Sequence, residues 1–92
     1  MVSAVVLVKA RTDAVPELAQ AIADLPGVRE VFSVAGQFDL VVLLMVRENQ
    51  DLADLISGRI RKLPGIVSSE TLIAFKIYSH LEQSVGCDMG LD

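Results

Sequence analysis

The stretch Val31–Val46, VFSVAGQFDLVVLLMV, reads as strand, tight turn, strand, with Gly36-Gln37-Phe38-Asp39 at the bend. The run after the bend, Leu40–Val46, is seven consecutive apolar residues closed by Arg47-Glu48-Asn49. An apolar run of this length, without alternation, fits a strand buried on both faces. Just before it, Gly36 permits close backbone approach and Asp39 supplies a lone carboxylate. A buried hairpin with a polar tip is therefore the reference for the rest of the chain.

Toward the N-terminus, Val2–Lys9 (VSAVVLVK) is a β-branched run that reads as a first strand. Thr12 and Asp13 then offer N-cap oxygens, and Pro16 falls in a first helical turn, where its missing N–H costs nothing. Val15, Leu18, Ile22 and Leu25 form one apolar stripe, which Pro26-Gly27 stops. Val28–Ala35 is strand two, and Gly36-Gln37 makes a turn of two-residue hairpin length. Beyond strand three, Asn49 or Asp51 caps a second helix with Leu52, Ile56, Ile60 and Leu63 inward, and Pro64-Gly65 stops it. Val67–Tyr78 carries strand four.

The order is β-α-β-β-α-β, and an internal repeat supports it. A shift of 38 residues superposes Val8 on Val46, Asp13 on Asp51, Ile22 on Ile60, and Leu25-Pro26-Gly27 on Leu63-Pro64-Gly65. Two such units make the ferredoxin-like split β-α-β fold of the α+β class: a four-stranded antiparallel sheet with two helices on one face. The crossovers place strands one and three in the middle, where they are expected to run parallel to each other.

A chain of 92 residues is one domain and buries only about 60–65% of its unfolded surface. Its composition is nevertheless 52% hydrophobic. Two helices cover one sheet face only, yet strand three is apolar on both, and strand one is broken only by Ser3 and Lys9. So large an apolar patch exceeds what monomers usually expose. The expectation is an obligate dimer at least, stacked sheet against sheet as a dimeric α+β barrel.

A net charge of −4, with basic residues dispersed, argues against direct nucleic acid binding. The one basic cluster, Arg59, Arg61 and Lys62, reads as a solvated helix face. No apolar run approaches the roughly 18 residues of a membrane span. The N-terminus lacks the charged region of a signal peptide and reads as a strand, so a cytoplasmic location is expected. His80, the only histidine, lies just after strand four with no serine or cysteine near it in a nucleophile context, so no catalytic residue is assigned. Cys87 is the only cysteine, which excludes an internal disulfide, and no metal-ligand spacing or phosphate-cradling loop is present. No metal or cofactor is expected.

The hairpin tip has two readings. In one, Gly36 supplies a positive φ and Asp39 bonds a neighbouring amide, making a turn and nothing more. In the other, turn amides receive the carboxylate of a small zwitterion and Asp39 its ammonium, with Ser68, Ser69 and Thr71 adding hydroxyls.

The combination of V-x-G-x-F-D-L at the central hairpin, L-P-G-V before strand two and L-P-G-I before strand four resembles the effector-binding domain of the Lrp/AsnC family of leucine- and asparagine-responsive regulators. The likeness covers Val2–Tyr78. It implies a ligand-binding domain over residues 1–79 with a C-terminal tail over 80–92, in a stand-alone form (a RAM domain) without the family's helix-turn-helix. It also implies dimers joined through their sheets, assembled further into rings of four or five dimers, octamers or decamers. An amino-acid effector would bind between dimers near Gly36 and Asp39, with Ala35, Gln37 and Phe38 in the same loop and Ser69 and Thr71 supplying hydroxyls. A full-length Lrp/AsnC regulator is the implied partner, and the function is amino-acid sensing that modulates transcription or metabolism. Two other readings stand beside it: a structural oligomerisation module without ligand, and a small enzyme on the dimeric α+β barrel scaffold.

Overall fold

The computed structural model describes residues 1–80. Its strands and helices are β1 (Val2–Ala10), α1 (Val15–Ala23), β2 (Val28–Ser33), β3 (Leu40–Val46), α2 (Asn49–Gly58) and β4 (Ile66–Ile73), with 3₁₀ turns at Thr12–Ala14 and Ile60–Lys62. The sheet order is β2-β3-β1-β4. Every neighbouring pair is antiparallel. This is the ferredoxin-like architecture, with one correction to the expected strand directions. The central strands β1 and β3 run antiparallel, Val2 opposite Val46 and Val8 opposite Leu40. The α1 crossover leaves β1 and β2 parallel with a gap between them; the hairpin then reverses β3 and drops it into that gap.

Period-two alternation sorts each central strand into two faces. Ala4, Val6, Val8 and Ala10 of β1 and Leu40, Val42, Leu44 and Val46 of β3 are buried. They form one core with Leu18 and Ile22 of α1, Leu52 and Leu55 of α2, and Ile60 of the second 3₁₀ turn. Burying each large side chain contributes about 1.5–3 kcal/mol. Leu55 belongs to this core although the sequence stripe passes over it, and Ile56 is only half-buried. The reason is that α2 ends at Gly58, so Ile60 and Leu63 reach the core from beyond the helix rather than along its face.

Among the described residues, no helix or strand covers the opposite face. Val5, Leu7, Val41, Leu43 and Met45 are half-buried there, and Phe32 and Leu72 are exposed. Among the described residues, the strand expected to be buried on both faces is thus buried on one. Strand register places Glu30, Ser68 and Glu70 on this face at the two edge strands, and Ser3 and Lys9 near the ends of β1. Apolar residues fill the middle and polar ones the rim.

Several boundaries differ from expectation. α1 starts without a side-chain cap, and Asp13 instead lies 3.5 Å from Arg11 in an exposed ion pair. α2 is capped by Glu48, whose N–H donates to Asp51 Oδ2 at 3.2 Å in a reciprocal capping box. β4 stops at Ile73 rather than at Tyr78. The two Pro-Gly stops do hold special backbone: Gly27 and Gly65 have φ of 96° and 100°. A Cβ at Gly65 would lie 2.8 Å from that of Ala14. Their carbonyls accept the N–H groups of Met45 and Arg11, each at 2.9 Å, and so tie one stop to β3 and the other to the residue that follows β1.

Candidate functional site

The hairpin connection is six residues, Val34–Asp39, rather than a two-residue turn, because β2 ends at Ser33. Val34 and Ala35 continue the apolar pattern of β2, but the ladder has already opened. The loop closes where the Val34 N–H donates to the Asp39 carbonyl at 2.9 Å. Gly36 holds a φ of 143°, open to glycine at little cost, and a Cβ there would meet nothing within 4 Å. Ala35, Gly36 and Gln37 are exposed, and Phe38 and Asp39 are half-buried.

Three bonds tie this loop to the end of β1. The Asp39 N–H donates to the Val8 carbonyl at 2.8 Å. The Ala10 N–H donates to Asp39 Oδ2 at 2.8 Å. The Lys9 ammonium donates to the Gln37 carbonyl at 3.3 Å. β1 runs two residues past its last partner on β3, since Val8 is paired with Leu40. The Asp39 carboxylate therefore takes the place of a strand and satisfies the N–H that the diverging loop would orphan. The turn reading of Asp39 is realised, with an amide 29 residues away in place of a neighbouring one. Lys9 joins the site unannounced; its only sequence signal is that it breaks the apolar pattern of strand one.

Ser69 and Thr71 lie elsewhere. Register puts Ser69 opposite Val8 and Thr71 opposite Val6, so both face the helix layer. They line a cleft of about 480 Å³ between the α2 end and β4, with Ile56, Arg61, Ile66, Val67 and Ser68. Arg61, which the sequence assigns to a solvated helix face, is the one cation of that lining. Within one chain the hairpin and the hydroxyl cleft flank opposite sides of β1, at the same end of the sheet. The structure joins Gly36–Asp39 to β1, and Ser69 and Thr71 to Arg61, but not the two groups to each other.

Among the described residues, no cluster of three or more His, Cys, Asp or Glu could hold a metal ion. No helix among them is long and apolar enough to cross a membrane. Cys87 and the tail residues Leu81, Val85 and Leu91 lie outside the described residues.

Comparison with known proteins places this geometry. The model of the Lrp/AsnC ligand binding domain matches residues 3–83. An uncharacterized HTH-type transcriptional regulator of Pyrococcus horikoshii is 30% identical over 59 residues, covering 64% of this chain and 39% of the relative. The chain thus spans about two fifths of the length of that curated relative. The crystal structure of a Thermus thermophilus protein, TTHA0845, is 41% identical with a TM-score of 0.82, covering 87% of this chain and all of the other. A transcriptional regulator of Neisseria meningitidis, crystallised as an L-Met complex, shares the fold at a TM-score of 0.77 and 17% identity, covering 86% of this chain and 53% of the other. The match to the ligand-binding domain runs through both L-P-G stops, the tethered hairpin and β4, and the chain belongs to the Lrp/AsnC family.

Proposed function

We propose that this chain is a cytoplasmic effector-sensing subunit that assembles through its open sheet face and binds a free amino acid at the Gly36–Asp39 hairpin. In this reading it passes the signal to a transcription regulator, such as a full-length member of its family. One observation carries it: exposed loop backbone with positive φ at Gly36, tied to β1 through Asp39 and Lys9 at the rim of an apolar sheet face. Loop amides then receive the effector carboxylate, and the second Asp39 oxygen its ammonium. The L-Met complex of a relative with the same fold supports a free amino acid as the ligand class. Assembly supplies what one chain lacks, because Ser69, Thr71 and Arg61 of a neighbouring copy can face the hairpin across an interface.

A structural module without ligand is the second reading, and the Asp39 bond to the Ala10 N–H favours it, since that bond alone gives the carboxylate a purpose. Thermal unfolding in the presence of each of the twenty amino acids at millimolar concentration separates the two. A ligand at 100 times its Kd adds about 2.7 kcal/mol, a readily measured rise in Tm for a small domain. At least one amino acid raises the midpoint if the chain is a sensor; if none does, the structural module stands.

A further inference from the structure

The residues after β4 have strand-like composition, and among the described residues no strand pairs with them past Ala74. Ala74-Phe75-Lys76-Ile77-Tyr78 is apolar or aromatic but for Lys76, and the sequence extends strand four through it. β1 runs out first: Ala4 opposes Ile73, the Ala74 N–H donates to the Ser3 carbonyl at 2.9 Å, and only Val2 and Met1 remain. The chain then bends at Phe75. Ile77 swings to the uncovered face of the sheet, where it lines a shallow cavity of about 300 Å³ with Val5, Arg29, Leu43 and Met45. Lys76 Nζ sits 5.5 Å from the centre of the Tyr78 ring.

The segment is apolar and almost unburied. Phe75 is fully exposed, Tyr78 is 83% exposed and Ile77 67%. Two aromatic side chains offer roughly 300–500 Å² between them. That is about half of the ~800 Å² each partner contributes to a standard interface. The segment is continuous with the apolar middle of the open face, since Ile77 borders Leu43 and Met45.

We infer that Ala74–Tyr78 is an arm that closes over a second copy of this chain, burying Phe75 and Tyr78 against that copy and holding the two open sheet faces together. This rests on the sheet-face assembly proposed above and names the segment that completes it. A second copy fits because the arm leaves from the edge of the very face that needs covering. Past Ala74 its backbone has no strand partner among the described residues, and an edge strand of the second copy can supply one.

The chain contains no tryptophan, so a Phe75→Trp variant carries a single fluorescent reporter at a fully exposed position. Its emission is read across a dilution series alongside sedimentation equilibrium. The arm predicts a blue shift that appears with the dimer and reverts on dilution to monomer. A Phe75→Ser/Tyr78→Ser variant should dissociate at least tenfold more readily, with unchanged far-ultraviolet circular dichroism. Solvent-exposed emission from a dimeric Phe75→Trp variant, or an unchanged dissociation constant in the double variant, overturns the arm while leaving sheet-face assembly standing. A wild-type chain monomeric at all concentrations overturns both.

Discussion

Asp39 Oδ2 accepts the backbone N–H of Ala10 at 2.8 Å, and this bond ties the candidate sensor to the last residue of a central strand. The same carboxylate that would meet an effector's ammonium keeps β1 from ending on an orphaned amide. Structure and sensing share one side chain, so the two roles must be separated by substitution.

Asp39→Ala leaves the half-buried Ala10 N–H without its partner, at a cost of about 1–3 kcal/mol. For a domain of this size each kcal/mol lowers Tm by about 4–8 °C. Asp39→Asn keeps a carbonyl oxygen for the amide and removes the charge. Thermal unfolding should therefore find the Asn variant close to wild type and the Ala variant clearly lower. Amino-acid stabilisation should be lost in both.

Neighbouring leucines on β3 should behave in opposite ways. Leu44 is 2% exposed in the helix-covered core, so Leu44→Ala removes packing worth about 2–5 kcal/mol and lowers the urea midpoint. Leu43 is half-buried on the open face. Leu43→Asp places a charge in the middle of the proposed interface and should yield a folded monomer by light scattering. An unfolded Leu43→Asp chain would mean that the two sheets fold only together.

Two glycines should respond to alanine with opposite signs. At Gly65 the φ of 100° and the 2.8 Å approach to Ala14 Cβ make Gly65→Ala destabilising, by roughly 1–2 kcal/mol for the left-handed backbone alone. Gly58, the last residue of α2, has nothing within 4 Å of an added Cβ. Gly58→Ala should stabilise by about 0.5–1 kcal/mol through the unfolded chain's lost freedom. Chemical denaturation of both variants reads the difference.

Lys9→Met keeps the side-chain length and removes the ammonium that reaches the Gln37 carbonyl. The loss of one exposed bond should change stability by less than about 1 kcal/mol. If the loop is the sensor, the effector's Kd should rise by more than that stability change accounts for, because the loop must then be ordered on binding. Calorimetric titration measures it.

The element order is legible in the sequence because apolar runs and Pro-Gly stops are local signals, and the 38-residue repeat checks each half against the other. Strand direction is not, because a crossover rule fixes β1 against β2, while β3 enters by a hairpin. The loop looks too short in the sequence since Val34 and Ala35 have strand character, and only pairing with β3 reveals where the ladder ends. Strand four looks too long for a related reason: Ala74–Tyr78 has strand composition, but its neighbour β1 begins at Val2. Gly36 and Asp39 stand out as a glycine and a lone carboxylate beside an apolar run. That Asp39 serves Ala10 depends on a contact distant in sequence, and that Arg61 lines one cleft with Ser69 and Thr71 depends on how the end of α2 folds back on β4.

The apolar face of β1 and β3 is the foundation on which assembly, the arm and a site shared between copies all rest. Light scattering on the wild-type chain at micromolar concentration tests it most directly. Sheet-face assembly predicts the mass of a dimer or a multiple of dimers; a homogeneous monomer at 9.9 kDa would contradict it.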